Sequence, residues 1–166
     1  MDKLIQELEV LVNHQLYVAG LTLALAIPDI CAALESEDGK ATGAKYKLWA
    51  ERYLIPNYDG MVTASDFYKL RCASVHQGKL HHHLDNYDKI IFKLPVEENE
   101  FMMHRNTIYN TLQLSAKIFI NEIVEAYYNW KDNNSNNPNL TKNLRECFTF
   151  HANGYPGLVN DGLFMG

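Results

Sequence analysis

Arg71 and His76 stand five residues apart in the segment LRCASVHQG, and both residue types suit phosphodiester cleavage. A neutral imidazole can take the proton from a ribose 2′-hydroxyl. A guanidinium, always charged, can clamp the phosphate and stabilise the charge that grows in the transition state. That scheme needs no metal and no other cofactor. On an ideal helix, however, five residues turn the chain about 140° beyond one full circle and advance it roughly 7.5 Å. Arg71 and His76 should therefore point away from one another on a straight helix. They are expected to converge only where the helix unwinds before Gly78, or where two copies meet across a two-fold axis and build a composite cleft. The chemistry thus predicts a homodimer. In the plainer alternative, Arg71 caps a carbonyl or pairs with an acid, and His76 simply ends a helix.

Other residues could support the pair. Asp29 lies in the most apolar stretch of the chain, where a carboxylate needs a partner or must take up a proton. It, or Glu35 further on, is a candidate to orient Arg71 or His76. Asp29 also follows Pro28 directly, where a new helical turn would start, and that simpler explanation is the preferred one. Cys72 and His76 share a helix face and, with His81 and His83, could in principle make a four-ligand zinc site. A Cys–His nucleophilic pair is a further option. The spacing matches no zinc signature, so no metal is assigned. Lys45, Lys47 and Arg52 alternate with Tyr46, Trp49 and Tyr53 and could offer cations and stacking rings to a nucleic acid. The simpler expectation puts those rings in the core and the basic groups in water. Glu97, Glu98 and Glu100 read as a solvated loop, and His104 and His151 as isolated.

Composition limits what these residues can belong to. The chain has 166 residues, 47% hydrophobic and 21% charged, which fits one globular domain. Its formal charge is -5 and its pI about 5.8, without the basic excess of a dedicated duplex-DNA binder. Any nucleic-acid contact must use a local patch. Cys31, Cys72 and Cys147, odd in number and far apart, read as reduced thiols of a cytoplasmic protein. The start, MDKLIQELEV, lacks the features of a signal peptide. The one membrane-like run, Leu16 to Leu34, contains Asp29, and a carboxylate near mid-bilayer costs about 2.5–3.5 kcal/mol. A buried helix accounts for it better, and no membrane association is expected.

The elements that must position the candidate residues are mostly helical. The pattern predicts helices from Asp2 as cap to about Asn13, from Leu16 to Ser36 with a kink or stop at Pro28, and from the SEDGKATG turn to about Tyr53. A fourth is predicted to start at Thr63, with Asp66 three residues on, and to end at Gly78. It carries Phe67, Leu70 and Ser74 on one face. KIIFKLP reads as a strand paired with Phe101 to His104 in a two-stranded hairpin. A long last helix runs from about Leu114 to Trp130 with Ala116, Phe119, Ile120, Ile123, Tyr127 and Trp130 along one stripe. A short element follows around Leu140 to Phe150, then a Gly-rich irregular tail at about 151–166. Its Leu158, Val159, Leu163, Phe164 and Met165 must dock on the core or on a partner. The expected architecture is one mainly α domain, 1–166: a bundle around a kinked apolar central helix with a small two-stranded β-hairpin.

An Arg and a His a few residues apart, late in a helix of a compact α-helical domain, resembles the HEPN (higher eukaryotes and prokaryotes nucleotide-binding) superfamily. The resemblance covers LRCASVHQG and the helical character of the chain. It implies a metal-independent endoribonuclease of bacterial stress or defence, its site formed at a homodimer interface, with a neutralising protein as a further partner. Arg71 would hold phosphate and His76 would act as base or acid. Cys72 stands where the family often has Asn, His or Asp. Some HEPN proteins do not cleave, so the alternative is a non-catalytic module that binds a nucleotide or a protein.

Overall fold

The long apolar run near the N-terminus forms the centre of the fold. In the computed structural model, which describes residues 1–80, 86–95 and 103–165, it is helix α2, Tyr17–Glu35. Packed around it are α1 (Asp2–Asn13), α3 (Gly43–Tyr53), α4 (Ala64–Gln77), α5 (Ala116–Asn133) and α6 (Pro138–Asn143). The protein is thus mainly α, a bundle about an apolar helix. By length and composition α2 is able to cross a membrane, yet 61% of its apolar window is buried in the fold. Pro28 lies inside α2, buried, and the helix runs on past it to Glu35. At that end Asn143 from α6 caps the helix, its Nδ2 donating to Leu34 O at 3.0 Å and Ser36 O at 2.8 Å.

Helix α4, which carries Arg71 and His76, is fixed at both ends by its own sequence. Thr63 Oγ1 accepts from Asp66 N at 3.1 Å, and the Asp66 carboxylate accepts from Thr63 N at 3.0 Å, a capping box. Gly78 closes the other end in the left-handed region, φ +64°, where a side chain would be strained. Phe67, Leu70 and Ser74 face inward as the spacing predicts, joined by Ala73.

The β structure departs from expectation. Strand β1 (Lys89–Lys93) runs parallel to β3 (Thr111–Ser115), with Ile90 opposite Leu112 and Phe92 opposite Leu114. Strand β2 (Asn106–Ile108) lies antiparallel on the other edge of β3. Of the stretch expected to pair with β1, Phe101 lies outside the described residues, and His104 precedes β2 without joining the sheet. The true hairpin is β2–β3, turning at Tyr109 and Asn110 with φ +45° and +56°, the signs a tight two-residue turn requires. Leu114 therefore ends a strand and does not begin the last helix. TLQLS alternates with the period of a strand, and both its leucines are wholly buried. Ser115 then turns the chain into α5, its Oγ accepting from Ile118 N at 3.2 Å. The stripe predicted on α5 is buried along its whole length, from Ala116 to Trp130.

Asp2 lies in the first turn of α1, with Met1 at the cap position. Its carboxylate accepts instead from Tyr127 Oη at 2.5 Å and Lys131 Nζ at 2.8 Å, tying α1 to α5. In the tail, β4 (Phe150–His151) pairs antiparallel with β5 (Phe164–Met165). Phe148, Phe150 and Met165 meet Met1 and Leu4 of α1 around a recess of about 320 Å³. Met165 of the tail thus borders α1, while Leu158 and Leu163 stay exposed.

Candidate functional site

Arg71 and His76 meet within one chain. Arg71 Nη1 lies 3.0 Å from His76 Nε2, and α4 remains helical through both residues to Gln77. The expectation that they converge only by unwinding or across a dimer is corrected. The angular argument holds for Cβ directions, but the Arg71 side chain is long enough to reach across the turn, and helical side chains lean toward the N-terminus. A guanidinium has donors and no acceptor. The Nε2 atom of His76 must therefore be the acceptor, which places the ring proton on Nδ1 and the lone pair toward the guanidinium. That is the form of imidazole able to take a proton.

Behind the pair lies Asp29 of α2. Its Oδ2 is 2.5 Å from Arg71 Nε. The contact is a close ion pair between carboxylate and guanidinium. Asp29 is 8% exposed. Burial pushes its carboxyl above the usual range, and the positive charge of Arg71 works against that rise. The hypothesis that Asp29 faces Arg71 thus has its geometry. Thr22 of α2 and Ser74 of α4 make a second polar contact between the helices, Oγ1 to Oγ 3.4 Å.

Cys72 is half-buried and faces two neighbours. Its Sγ lies 4.0 Å from Arg71 Nη1, and Cys72 is the main cause holding the Tyr68 phenol above its usual range. Glu35 does not join the group. It lies six residues beyond Asp29, about 240° round and about 9 Å along the helix, and its Oε2 accepts from the Trp130 indole at 2.7 Å. Of the four-residue zinc set, His81 and His83 lie outside the described residues, as do Glu97, Glu98 and Glu100. Among the described residues no three His, Cys, Asp or Glu side chains are grouped to hold a metal ion. All three cysteines are free, Cys31 buried and the other two half-buried. Tyr46 and Trp49 are wholly buried, in keeping with rings in the core.

A second polar cluster escaped the sequence reading, which took His104 as isolated. Glu122 on α5, 7% exposed, accepts from Tyr58 Oη at 2.5 Å, pairs with His104 Nε2 at 3.2 Å and pairs with Arg105 Nη2. His104 Nδ1 accepts from Ser115 N at 3.2 Å, so Nε2 carries the proton and donates to Glu122. Burial pushes the Glu122 carboxyl up, but the hydrogen bonds from His104 and Tyr58 and the charge of Arg105 outweigh it and hold it below the usual range. Both nitrogens of His104 are occupied, so the cluster fastens the β2–α5 corner and offers no free base. The available signal was positional: Glu122 sits three residues after Phe119 and four before Ala126, on the edge of the buried stripe.

Beside Arg71 and His76 the surface turns apolar. Leu16, Val18, Leu23 and Ala26 of the α2 region, with Val75 of α4 and Leu94 after β1, line a groove of about 800 Å³. Val18 is 70% exposed. No protein-family model, no curated protein and no solved structure matches the chain.

Proposed function

We propose that this protein is a metal-independent endoribonuclease of HEPN type, acting as a cytoplasmic homodimer through Arg71 and His76. The observation that carries the proposal is the 3.0 Å contact between Arg71 Nη1 and His76 Nε2 at the surface end of α4, with Asp29 behind it. The 2′-oxygen of ribose attacks the adjacent phosphorus while His76 Nε2 takes its proton. The bond to the 5′-oxygen breaks, and the products are a 2′,3′-cyclic phosphate and a 5′-hydroxyl. Arg71 exchanges its contact with the imidazole for the phosphate oxygens, where charge grows. A second copy brings a second His76, which protonates the leaving oxygen. The groove along Leu16, Val18, Val75 and Leu94 supports a dimer because it is an exposed apolar surface adjoining the pair.

One observation favours a second reading, a non-catalytic module that binds a nucleotide or a protein. The Arg71 guanidinium is already engaged by Asp29 and His76, as in a purely structural ion pair. The two readings separate when purified protein is incubated with single-stranded and structured RNA in EDTA, wild type beside His76→Ala. Cleavage by wild type alone is the expected result. Absence of cleavage by the folded wild type, with binding retained, moves the assignment to the module.

A further inference from the structure

The basic and aromatic residues of α3 resolve into different environments. Tyr46 and Trp49 enter the core. Lys45 turns away, its Nζ 2.5 Å from Asp38 Oδ1 and 2.8 Å from Lys40 O. Lys47 turns toward α4, where its ammonium sits 5.5 Å from the centroid of the Tyr68 ring. No carboxylate neutralises Lys47 among the described residues. The ring beneath it is firmly mounted. Tyr46 packs against it with centroids 5.4 Å apart, and a Cβ on Gly43 would come within 2.7 Å of Tyr68 Cζ. Gly43, Tyr46 and Lys47 are spaced three and four apart, one face of α3 gripping one ring.

That ring leads to the candidate site. Cys72 lies one turn beyond Tyr68 on α4, its sulfur is 4.0 Å from Arg71 Nη1, and the same Nη1 is 3.0 Å from His76. Tyr68, Arg71, Cys72 and Val75 follow the three- and four-residue spacing of one helix face. A cation seated on an aromatic face loses little of its charge, because the ring quadrupole attracts it without neutralising it. In a chain of net charge -5, an ammonium with no carboxylate partner among the described residues, seated on a ring one helical turn before Arg71, marks a place for a second anion.

We propose that Lys47 binds a phosphate of the RNA strand next to the one held by Arg71, so that the substrate is a strand segment carrying a flanking phosphate and not an isolated dinucleotide. This rests on the endoribonuclease reading above. The test measures binding of a short fluorescent single-stranded RNA by anisotropy across a salt series. The full chain carries His76→Ala so that the RNA stays intact, and Lys47→Gln and Lys45→Gln are compared with it. One phosphate contact fewer makes the slope of log affinity against log salt shallower by about 0.7 for single strands. Lys47→Gln is expected to show that loss with weaker binding, and Lys45→Gln, already paired with Asp38, to keep the parent slope. A Lys47→Gln slope equal to the parent's, or an equal loss from Lys45→Gln, overturns the Lys47 site and leaves the endoribonuclease reading standing. A parent protein that binds no RNA overturns both.

Discussion

Arg71 divides its guanidinium between an acid and a base. Its Nε faces Asp29 and its Nη1 faces His76, so the acid determines where the other end of the fork can point. If Asp29 positions Arg71, Asp29→Asn lowers kcat by up to about 10²-fold, the scale expected when a reacting group is misplaced by an ångström, with a smaller change in KM. The same substitution should leave the melting temperature unchanged or raise it. Burial holds the Asp29 carboxyl above its usual range, so its contribution to stability is present below the ordinary aspartate value and lost as pH rises through the folded one. At neutral pH its charge is a cost that Asn removes. A large fall in stability with kcat unchanged would show that Asp29 serves only the fold. At this scale the sequence was legible in residue types: Arg71, His76 and Asp29 could all be picked out. Their approach was not, because helix-face geometry fixes where Cβ points and not how far an arginine reaches.

Among the elements, those with strong local signals were the readable ones. The Thr63–Asp66 box and Gly78 bound α4 where the sequence places them, since caps act within one turn. The β1–β3 pairing was hidden because it is non-local and parallel, and TLQLS is short enough for its alternation to merge into the helix that follows. Glu122 was missed for a related reason. Its partners Tyr58, His104 and Arg105 come from elements distant in sequence, joined only by the fold. That corner should be visible in the pH dependence of stability. The Glu122 carboxyl is held below its usual range, so its stabilisation is present above the unfolded glutamate value and lost as pH falls through the folded one. Denaturant titrations on the acid side should show this decline in the wild type and a flatter profile for Glu122→Gln. At neutral pH that variant should be less stable by about 3 kcal/mol, the scale of removing one partner from a buried ion pair. Equal slopes in the two proteins would mean that the cluster contributes no proton linkage.

For the molecule as a whole, the open question of assembly turns on the groove beside the site. Among the described residues the largest buried side chains, Trp49, Trp130, Tyr46, Tyr58, Tyr127, Phe67 and Phe119, belong to one apolar cluster. What composition does not encode is which apolar residues stay outside that core, and Val18, 70% exposed, is among them. Val18→Glu should barely alter folding, because the side chain is already in water, yet it places a charge in the proposed dimer seam. Sedimentation should find wild-type dimers and monomeric Val18→Glu, with RNA cleavage lost in the monomer. A monomeric wild type that still cleaves would remove the dimer from the mechanism. The chemistry itself is tested most directly by the ends of the RNA that the wild-type protein produces in EDTA. Attack by the 2′-oxygen with His76 as base leaves 2′,3′-cyclic phosphates and 5′-hydroxyls, and those ends are the expected result. Products with 3′-hydroxyl and 5′-phosphate ends, or cleavage that requires added magnesium, would contradict it.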